Sequence, residues 1–387
     1  MNSTTSNNHY IVQLIENNTS LRFVNKYNTN DKNNIIINNP IMFNHIIKHG
    51  EIGLSESYME EYWDANDLEY IISTLLQKQD LLLNSLKKNS FSFLLMEIKS
   101  RIKNIGRNNT IESSAKNISF HYDIGNDLYN KMLGKHMQYT CAYFNKPNMT
   151  LDEAQYAKME LIAKKLDLKP DMKVLDIGCG FGSMANHLAS KYKVHVVGVT
   201  LSKEQKIYAD KNFSNKNVNI LVQDYRLVEG KFDRVYSVGM FEHVGRKNYK
   251  EYYDKCYDLL KDDGIMLIHS ISTTQRKWNH NTFVGKYIFP EFELPHLKDL
   301  VGKFSDKWNI EDLQNFGLSY AKTLRAWDKN IDDWSGLENY NTKFRRMWKM
   351  YLLGCASTFQ NRKTGLWQIV YTKDNTTRED DCHHIRN

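Results

Sequence analysis

The sequence predicts an α/β protein. It reads as a doubly wound, mostly parallel sheet, preceded by a small mixed α/β module that is mainly helical. Three observations carry this. From Lys173 onward, short β-branched runs alternate with helix-compatible runs, as in a sheet whose parallel strands are joined by helices. The first of these strands leads into Val174 to Asn186, VLDIGCGFGSMAN, where Gly178, Gly180 and Gly182 alternate with other residues before a helical run. Glycines at such a turn permit positive φ and let a ligand approach main-chain N–H groups. Finally, 387 residues with 41% apolar and 25% charged side chains can bury one large core plus a satellite domain.

Composition narrows the function classes. The chain carries 52 Lys and Arg against 45 Asp and Glu, a net charge of +7. That is modest for a nucleic-acid binder and suits an anionic surface such as the inner leaflet of a membrane. No apolar run approaches the roughly 18 residues of a membrane span. The opening MNSTTSNNHY lacks the zones of a signal peptide. Five cysteines without regular spacing fit reduced thiols in a cytosol. The expectation is a cytoplasmic protein with no nucleic-acid partner and no bound metal.

In chain order, residues 1–105 form a separate module and 106–118 a linker; 119–387 form the main domain. The opening residues read as polar and frayed. Asn34 to Asn38 reads as a strand and Pro40 to His49 as a helix. Gly50 to Trp63, GEIGLSESYMEEYW, reads as a second helix capped at Ser55, with Glu60 following. Leu68 to Ser85 is apolar at helical spacing, and Phe91 to Ile98 continues it. Lys87, Lys88, Lys99, Arg101, Lys103 and Arg107 then cluster, either as a solvated face or as a patch that attracts anionic lipid. Ile118 to Phe144 is dense in aromatics and precedes the first strand of the sheet, so it can fold over the glycine turn. Leu151 to Leu166 is a helix opened by a capping box of Thr150 and Glu153. Strands are expected at Val174–Asp176, Val194–Val199, Val218–Val222, Arg234–Val238, Ile265–Ser270, Trp308–Phe316 and Trp367–Tyr371. Helices are expected at Ser183–Lys191, Lys203–Asn212, Tyr249–Leu260 and Lys343–Phe359. The pattern stops over about 272–307, an aromatic insertion that reads as a lid.

Ligands of such sheets sit beyond the carboxyl ends of the strands. Asp176, directly before Gly178, Cys179, Gly180 and Gly182, suits a cationic or ribose-bearing ligand better than a pyrophosphate. After the second strand, Thr200, Leu201, Ser202 and Gln205 offer neutral hydrogen-bonding groups on the ribose side. The acidic residue usual in dehydrogenases is absent there. After the third, Gln223, Asp224, Tyr225 and Arg226 can bond and stack on an adenine. The fourth ends in Glu242-His243 and the fifth in His269-Ser270-Ile271. Cys141, Glu242, His269 and Tyr320 then converge if the fold is right. Taken singly, each also has an ordinary reading as a packing residue.

The runs HYDIGNDLY, MQYTCAYF, VLDIGCGFG, VGVTLSKEQ, DRVYSVGMFEHVG, KYIFP and GLSESYMEEYW resemble those of cyclopropane-fatty-acid synthases, which are S-adenosylmethionine-dependent methyltransferases. The resemblance runs from about residue 40 to Tyr371. Mycolic acid cyclopropane synthases and plant alkaloid N-methyltransferases are similar to the catalytic part. The resemblance implies a class I methyltransferase fold, Rossmann-like, with the methyl donor along Asp176 to Ser183. Tyr139 and Thr140 would close over it, Thr200 to Gln205 would hold its ribose, and Gln223 to Arg226 its adenine. It further implies a bicarbonate ion held by Cys141, Glu242, His269, the backbone of Ile271, and Tyr320. Glu242 is expected to orient that ion rather than act as the base. Aromatic faces such as Tyr122, Tyr143 and Tyr320 would stabilise a carbocation. Cys355 matches a cysteine often designated catalytic, although its helical position suits packing equally well. The implied reaction is methylene transfer to the cis double bond of unsaturated phospholipid acyl chains, at the inner face of the membrane. The N-terminal module would hold the bilayer, and a homodimer is left open. Alternatives are a methyl-branched product, methylation of an amine, and a non-catalytic lipid-binding scaffold. Phe181 replaces the family's usual tryptophan, Ser183 replaces a glycine or alanine, and Glu291-Phe-Glu293 alters the lid turn, which bears on head-group preference.

Overall fold

The computed structural model describes residues 2–25, 31–89, 124–273, 282–290, 292–302 and 307–374. They fall into two units. One draws on Met1–Arg107, Asn279–Pro290 and Asp332–Arg362, the other on Asn108–Trp278, Glu291–Ile331 and Lys363–Asn387.

The second unit is built on seven strands. These are β4 (Lys173–Ile177), β5 (His195–Thr200), β6 (Val218–Val222), β7 (Phe232–Val238), β8 (Leu260–Ser272), β9 (Trp308–Asn315) and β10 (Gly365–Lys373). Their order is β6-β5-β4-β7-β8-β10-β9. β6 through β8 run parallel, and β10 is antiparallel to both of its neighbours. β4 lies where the strand order reverses, so its carboxyl end opens on the crevice that ligands use in doubly wound sheets. Alternate residues of β4 serve two cores. Val174 packs with Met159, Ile162 and Leu188, and Leu175 packs with Tyr252, Tyr253 and Leu259. The helix Leu151–Lys165 opens with the expected capping box, Thr150 and Glu153 each bonding the other's backbone N–H.

The first unit holds the strands β1 (Arg22–Val24), β2 (Asn34–Ile37) and β3 (Trp63–Ala65), with helices at Asn2–Glu16, Ile41–Met59, Leu68–Gln77 and Gln79–Asn89. The opening residues are thus helical, held by buried Ile11 and Ile15 rather than by their polar composition. Ser55 is not a cap: one helix runs to Met59, kinked at Gly50 (φ 56°, ψ −125°), and the Ser55 hydroxyl donates back to the Glu51 carbonyl. The apolar run expected as one helix over Leu68–Ser85 breaks at Lys78.

The domain boundaries also differ from expectation. The segments 279–290 and 332–362, read from sequence as parts of the 119–387 domain, belong to the first unit. Helix Thr342–Gln360 buries Met347, Trp348, Leu352 and Phe359 there. Arg346 lies 3.8 Å from the Tyr58 ring and donates to the Trp63 carbonyl at 2.8 Å. The expected linker 106–118, the run Phe91–Ile98, Tyr122, and the basic residues Lys99, Arg101, Lys103 and Arg107 lie outside the described residues. Among the described residues, no helix is long and apolar enough to cross a membrane.

Candidate active site

The turn after β4 takes positive φ at all three glycines, +84°, +54° and +81°. Two of them are packed from outside. A Cβ on Gly178 would lie 2.7 Å from Met240 Cγ, and one on Gly182 would lie 2.8 Å from Ala209 Cβ. Gly180 would meet nothing within 4 Å, and it lines a cleft. The same cleft is lined by Tyr139, Thr140, Asp176, Gly178, Cys179, Thr200, Leu201, Gln205, Gln223, Asp224, Tyr225 and Arg226. Ser202 and Gly182 stand behind it as helix caps, Ser202 accepting from the Gln205 N–H at 3.2 Å.

Each wall has its own chemistry. Asp176 is 2% exposed and accepts from the Tyr236 hydroxyl at 2.7 Å. Burial raises its carboxyl to about 7, against the pull of Tyr236 and Lys158. The Thr200 hydroxyl pairs with Gln205 Oε1 at 2.6 Å. Asp224 is already engaged: Arg226 grips it through Nε and Nη2, both at 2.8 Å, leaving fewer lone pairs for a base edge than sequence suggested. His243, which sequence paired with Glu242, also lines the cleft, and burial lowers its ring to about 4.

Residues 138–140 form another wall of the cleft, and sequence reasoning missed what holds them. Lys158 is fully buried on helix Leu151–Lys165 and donates to Gln138 Oε1 at 2.6 Å and Thr140 Oγ1 at 2.7 Å. Gln155, one turn earlier, donates to the Gln138 and Thr140 carbonyls at 3.2 and 3.0 Å. The available signal was a lysine and a glutamine three apart on the stripe that also carries Ile162. Tyr139 sits between the rings of Tyr129 and Trp327, each at 5.2 Å, and Trp327 in turn meets Tyr320 at 6.2 Å.

A second cluster borders this cleft. Glu242 is 3% exposed, and its Oε1 accepts from the Ile271 N–H at 2.6 Å. Its Oε2 is buried without a hydrogen bond among the described residues. Burial raises this carboxyl to about 7, against the lowering effects of the Ile271 N–H, its own backbone and the nearby Ser270 hydroxyl. His269 meets Gln368 through Nδ1 at 3.1 Å, while its buried Nε2 has no partner among the described residues. Burial, with the charges of Lys158 and Lys165, holds the ring well below its usual range and therefore neutral. The His269 carbonyl accepts from Gly239 N–H at 2.8 Å, and Gly239 lines the cleft. The structure thus brings Glu242, Ile271 and His269 together, although the Ile271 N–H is occupied by Glu242. Cys141 is buried with its thiol raised by burial, and its Sγ meets the Ala142 carbonyl at 3.2 Å. Helix Gly317–Asn330 carries Tyr320 between Ser319 and Thr323, whose hydroxyls accept from the Phe144 and Ala142 N–H groups at 3.3 and 3.0 Å. Tyr143 packs on Phe316, which packs on His269.

Cys355 is the remaining residue expected in the catalytic set. It belongs to the first unit and lines an apolar cavity there with Ile46, Leu54, Leu75, Leu82 and Met350. Burial and the charge of Glu51 raise its thiol to about 12, which disfavours the nucleophilic thiolate.

Residues 109–369 match the family model described as mycolic acid cyclopropane synthetase. The chain belongs to this family. It is 39% identical over 341 residues to the cyclopropane-fatty-acyl-phospholipid synthase of Escherichia coli strain K12, covering 88% of this chain and 87% of that one. The cyclopropane synthase MmaA2 of Mycobacterium tuberculosis superposes with a TM-score of 0.64 at 28% identity, over 67% of this chain and 98% of that chain. Mycolic acid cyclopropane synthase CmaA1, solved with SAH and CTAB, superposes with a TM-score of 0.63 at 30% identity, over 67% and 98%. The fold is that of class I methyltransferases. A member of this family is an enzyme, an S-adenosylmethionine-dependent methyltransferase, and the family's chemistry is the cyclopropanation of lipid acyl chains.

Proposed function

We propose that this chain transfers a methylene group from S-adenosylmethionine to the cis double bond of unsaturated acyl chains in membrane phospholipids, giving cyclopropane fatty acids. The reading rests on one observation above the others. Beside a glycine-turn cleft, two buried polar atoms, Glu242 Oε2 and His269 Nε2, have no hydrogen-bond partner among the described residues. Buried polar atoms without partners ask for a small polar guest.

The residues present fit both absent groups. Gly180 leaves its side of the turn open, and Tyr139, Thr140, Thr200, Gln205 and Asp224 supply an aromatic face and hydrogen-bonding groups for the donor. Glu242, His269, Cys141 and Tyr320 would hold bicarbonate, with Ile271 acting through Glu242. When bound, S-adenosylmethionine supplies an electrophilic methyl and bicarbonate supplies a base.

The protein's own part follows from the difficulty of the reaction. An alkene is a weak nucleophile, so its π electrons must be aligned with the methyl carbon before they form the new bond. The acyl chain is then left with a carbocation, which water would trap as an alcohol. Tyr320 and Tyr143 exclude water and offer negative ring faces, worth about 1–2 kcal/mol each when desolvated. A neutral His269 can donate to an anion without repelling it, and Glu242, raised to about 7, can do so in its protonated form, which is populated near neutral pH. Loss of a proton from the transferred carbon lets its C–H electrons close the ring. Glu242 is thus assigned to orient the base.

The cavity beside Cys355, about 140 Å³ and lined mainly by apolar side chains with Glu51 among them, suits a hydrocarbon chain, and Cys355 is assigned a lining role there. The first unit is assigned to hold the bilayer, at the cytoplasmic face of the membrane. Lys87 and Lys88, in the last turn of helix Gln79–Asn89, contribute to its basic surface. To test the reading, the protein is incubated with S-adenosylmethionine and unsaturated phospholipid vesicles, and the released fatty acids are analysed by mass. Cyclopropane chains are expected. Methylated amines or methyl-branched chains would replace this reading with another, and the absence of any turnover would favour a non-catalytic lipid binder.

A further inference from the structure

Lys158 has no role in the chemistry above, yet it is among the most unusual residues in the second unit. A lysine with no exposed surface needs a reason, because removing an ammonium from water is costly. Its neighbours give one. Its two bonds, to Gln138 Oε1 and Thr140 Oγ1, clasp the ends of one three-residue segment, and the residue between them is Tyr139. Gln138 extends the clasp to the glycine turn by donating to the Ser183 hydroxyl at 2.5 Å. All three residues of the segment line the cleft.

The direction of these bonds matters. Burial lowers the Lys158 amine to about 7, against the raising effect of Cys141 and Asp176; in its ammonium form it has three donors and no acceptor, so Thr140 Oγ1 then accepts from it. The proton of the Thr140 hydroxyl is therefore left for another acceptor. A free, preset donor on the cleft wall is what an oxygen of the bound methyl donor would use. Gly239, also on the cleft, leaves room for this threonine: a Cβ there would lie 2.8 Å from Thr140 Cγ2. The position of Lys158 also lets its charge act on Asp176, Cys141 and His269, so the same amine faces both halves of the site.

We propose that Lys158, assisted by Gln155, is a positioning residue for the methyl donor: it fixes residues 138–140 as one wall of the cleft and aims the Thr140 hydroxyl at the donor. This rests on the donor assignment above.

The test is calorimetric titration of S-adenosylhomocysteine, the unreactive product, into wild type, Lys158→Met, Thr140→Val and the double variant. Binding by wild type checks the donor assignment itself, and its absence would end that assignment before Lys158 is at issue. Given wild-type binding, Lys158→Met is expected to weaken affinity by about tenfold or more. The double variant should be little worse than Lys158→Met alone, because both remove one linked arrangement. In turnover, the KM for S-adenosylmethionine should rise by the same factor, with kcat and the KM for vesicles changing by less than about threefold. A merely structural lysine would not produce that split. Affinity within about twofold of wild type, fully additive losses, or a parallel fall of kcat without a KM change would each overturn the proposal. Should Lys158→Met fail to melt cooperatively, Thr140→Val decides alone, since it is nearly isosteric. Weakening by about fivefold or more supports the arrangement, and unchanged affinity overturns it.

Discussion

Glu242→Gln makes a sharp test of the buried cluster, because it removes a titration while keeping a shape. The amide can still accept from the Ile271 N–H through Oε1 and present a donor where Oε2 lies. In the wild type, burial raises the Glu242 carboxyl from its ordinary 4.5 to about 7. Below about pH 4.5 it is neutral in both folded and unfolded chains, and its burial costs no charge. As pH rises, the unfolded chain gives up the proton first, and the folded state is progressively disfavoured. The loss is complete once the folded chain also ionises, above about 7. At 1.36 kcal/mol per pH unit, the gap corresponds to about 3 kcal/mol of stability lost across this window. Glutamine does not titrate. Urea denaturation at about pH 5 and about pH 8 should therefore show Glu242→Gln gaining up to about 3 kcal/mol on the wild type between the two. Asp176 and Glu51, also raised to about 7, are common to both proteins and cancel in the difference. A difference that stays the same at both pH values would refute the argument, because Glu242 would then ionise as an exposed glutamate does.

Four further outcomes are expected. Glu242→Ala, which leaves no donor where Oε2 lies, should bind S-adenosylhomocysteine normally but form rings about a hundredfold more slowly, as measured by fatty-acid analysis; full activity without dependence on bicarbonate would remove Glu242 from the anion site. Gly178→Ala should lower both thermal stability and S-adenosylhomocysteine affinity, because its φ is +84° and its new Cβ would press on Met240; a variant that melts and binds like wild type would contradict that packing. Asp224→Ala, which strips Arg226 of both its guanidinium hydrogen bonds and of the acceptor for its backbone N–H, should weaken S-adenosylhomocysteine by about tenfold in calorimetry. Cys355→Ala should keep ring formation within about threefold, since its thiol, raised to about 12, makes a poor nucleophile; loss of activity with folding intact would return it to the catalytic set.

Much of the second unit was legible because its signals are local. Val218–Val222 and Lys203–Asn212 fall where β-branching and capping put them, and Thr150 with Glu153 opens its helix as the spacing implies. The remaining elements of the sheet differ mainly at their ends. The first unit was harder, since its membership depends on contacts between distant segments. Nothing local to Thr342–Gln360 says that Arg346 will lie on Tyr58. Ser55 misled because its side chain can bond within a helix as well as begin one, and the kink at Gly50 is a backbone event. In the site, chemistry-bearing residues at strand ends could be named from topology. The roles of Lys158 and Gln155 could not, because a lysine and a glutamine on a helix ordinarily face water. The grip of Arg226 on Asp224 is hidden too, since at a strand end each side chain reads as a ligand-binding group rather than as the partner of the other.

The most direct measurement uses S-adenosylmethionine carrying a trideuterated methyl group, with unsaturated phospholipid vesicles, and counts deuterium in the product acyl chains by mass spectrometry. Cyclopropanation through a cation that loses a proton from the transferred carbon leaves two of the three deuterons in the chain, and that product is expected here. Retention of all three in the acyl chain, or label only on a nitrogen, would contradict ring formation as the reaction of this site.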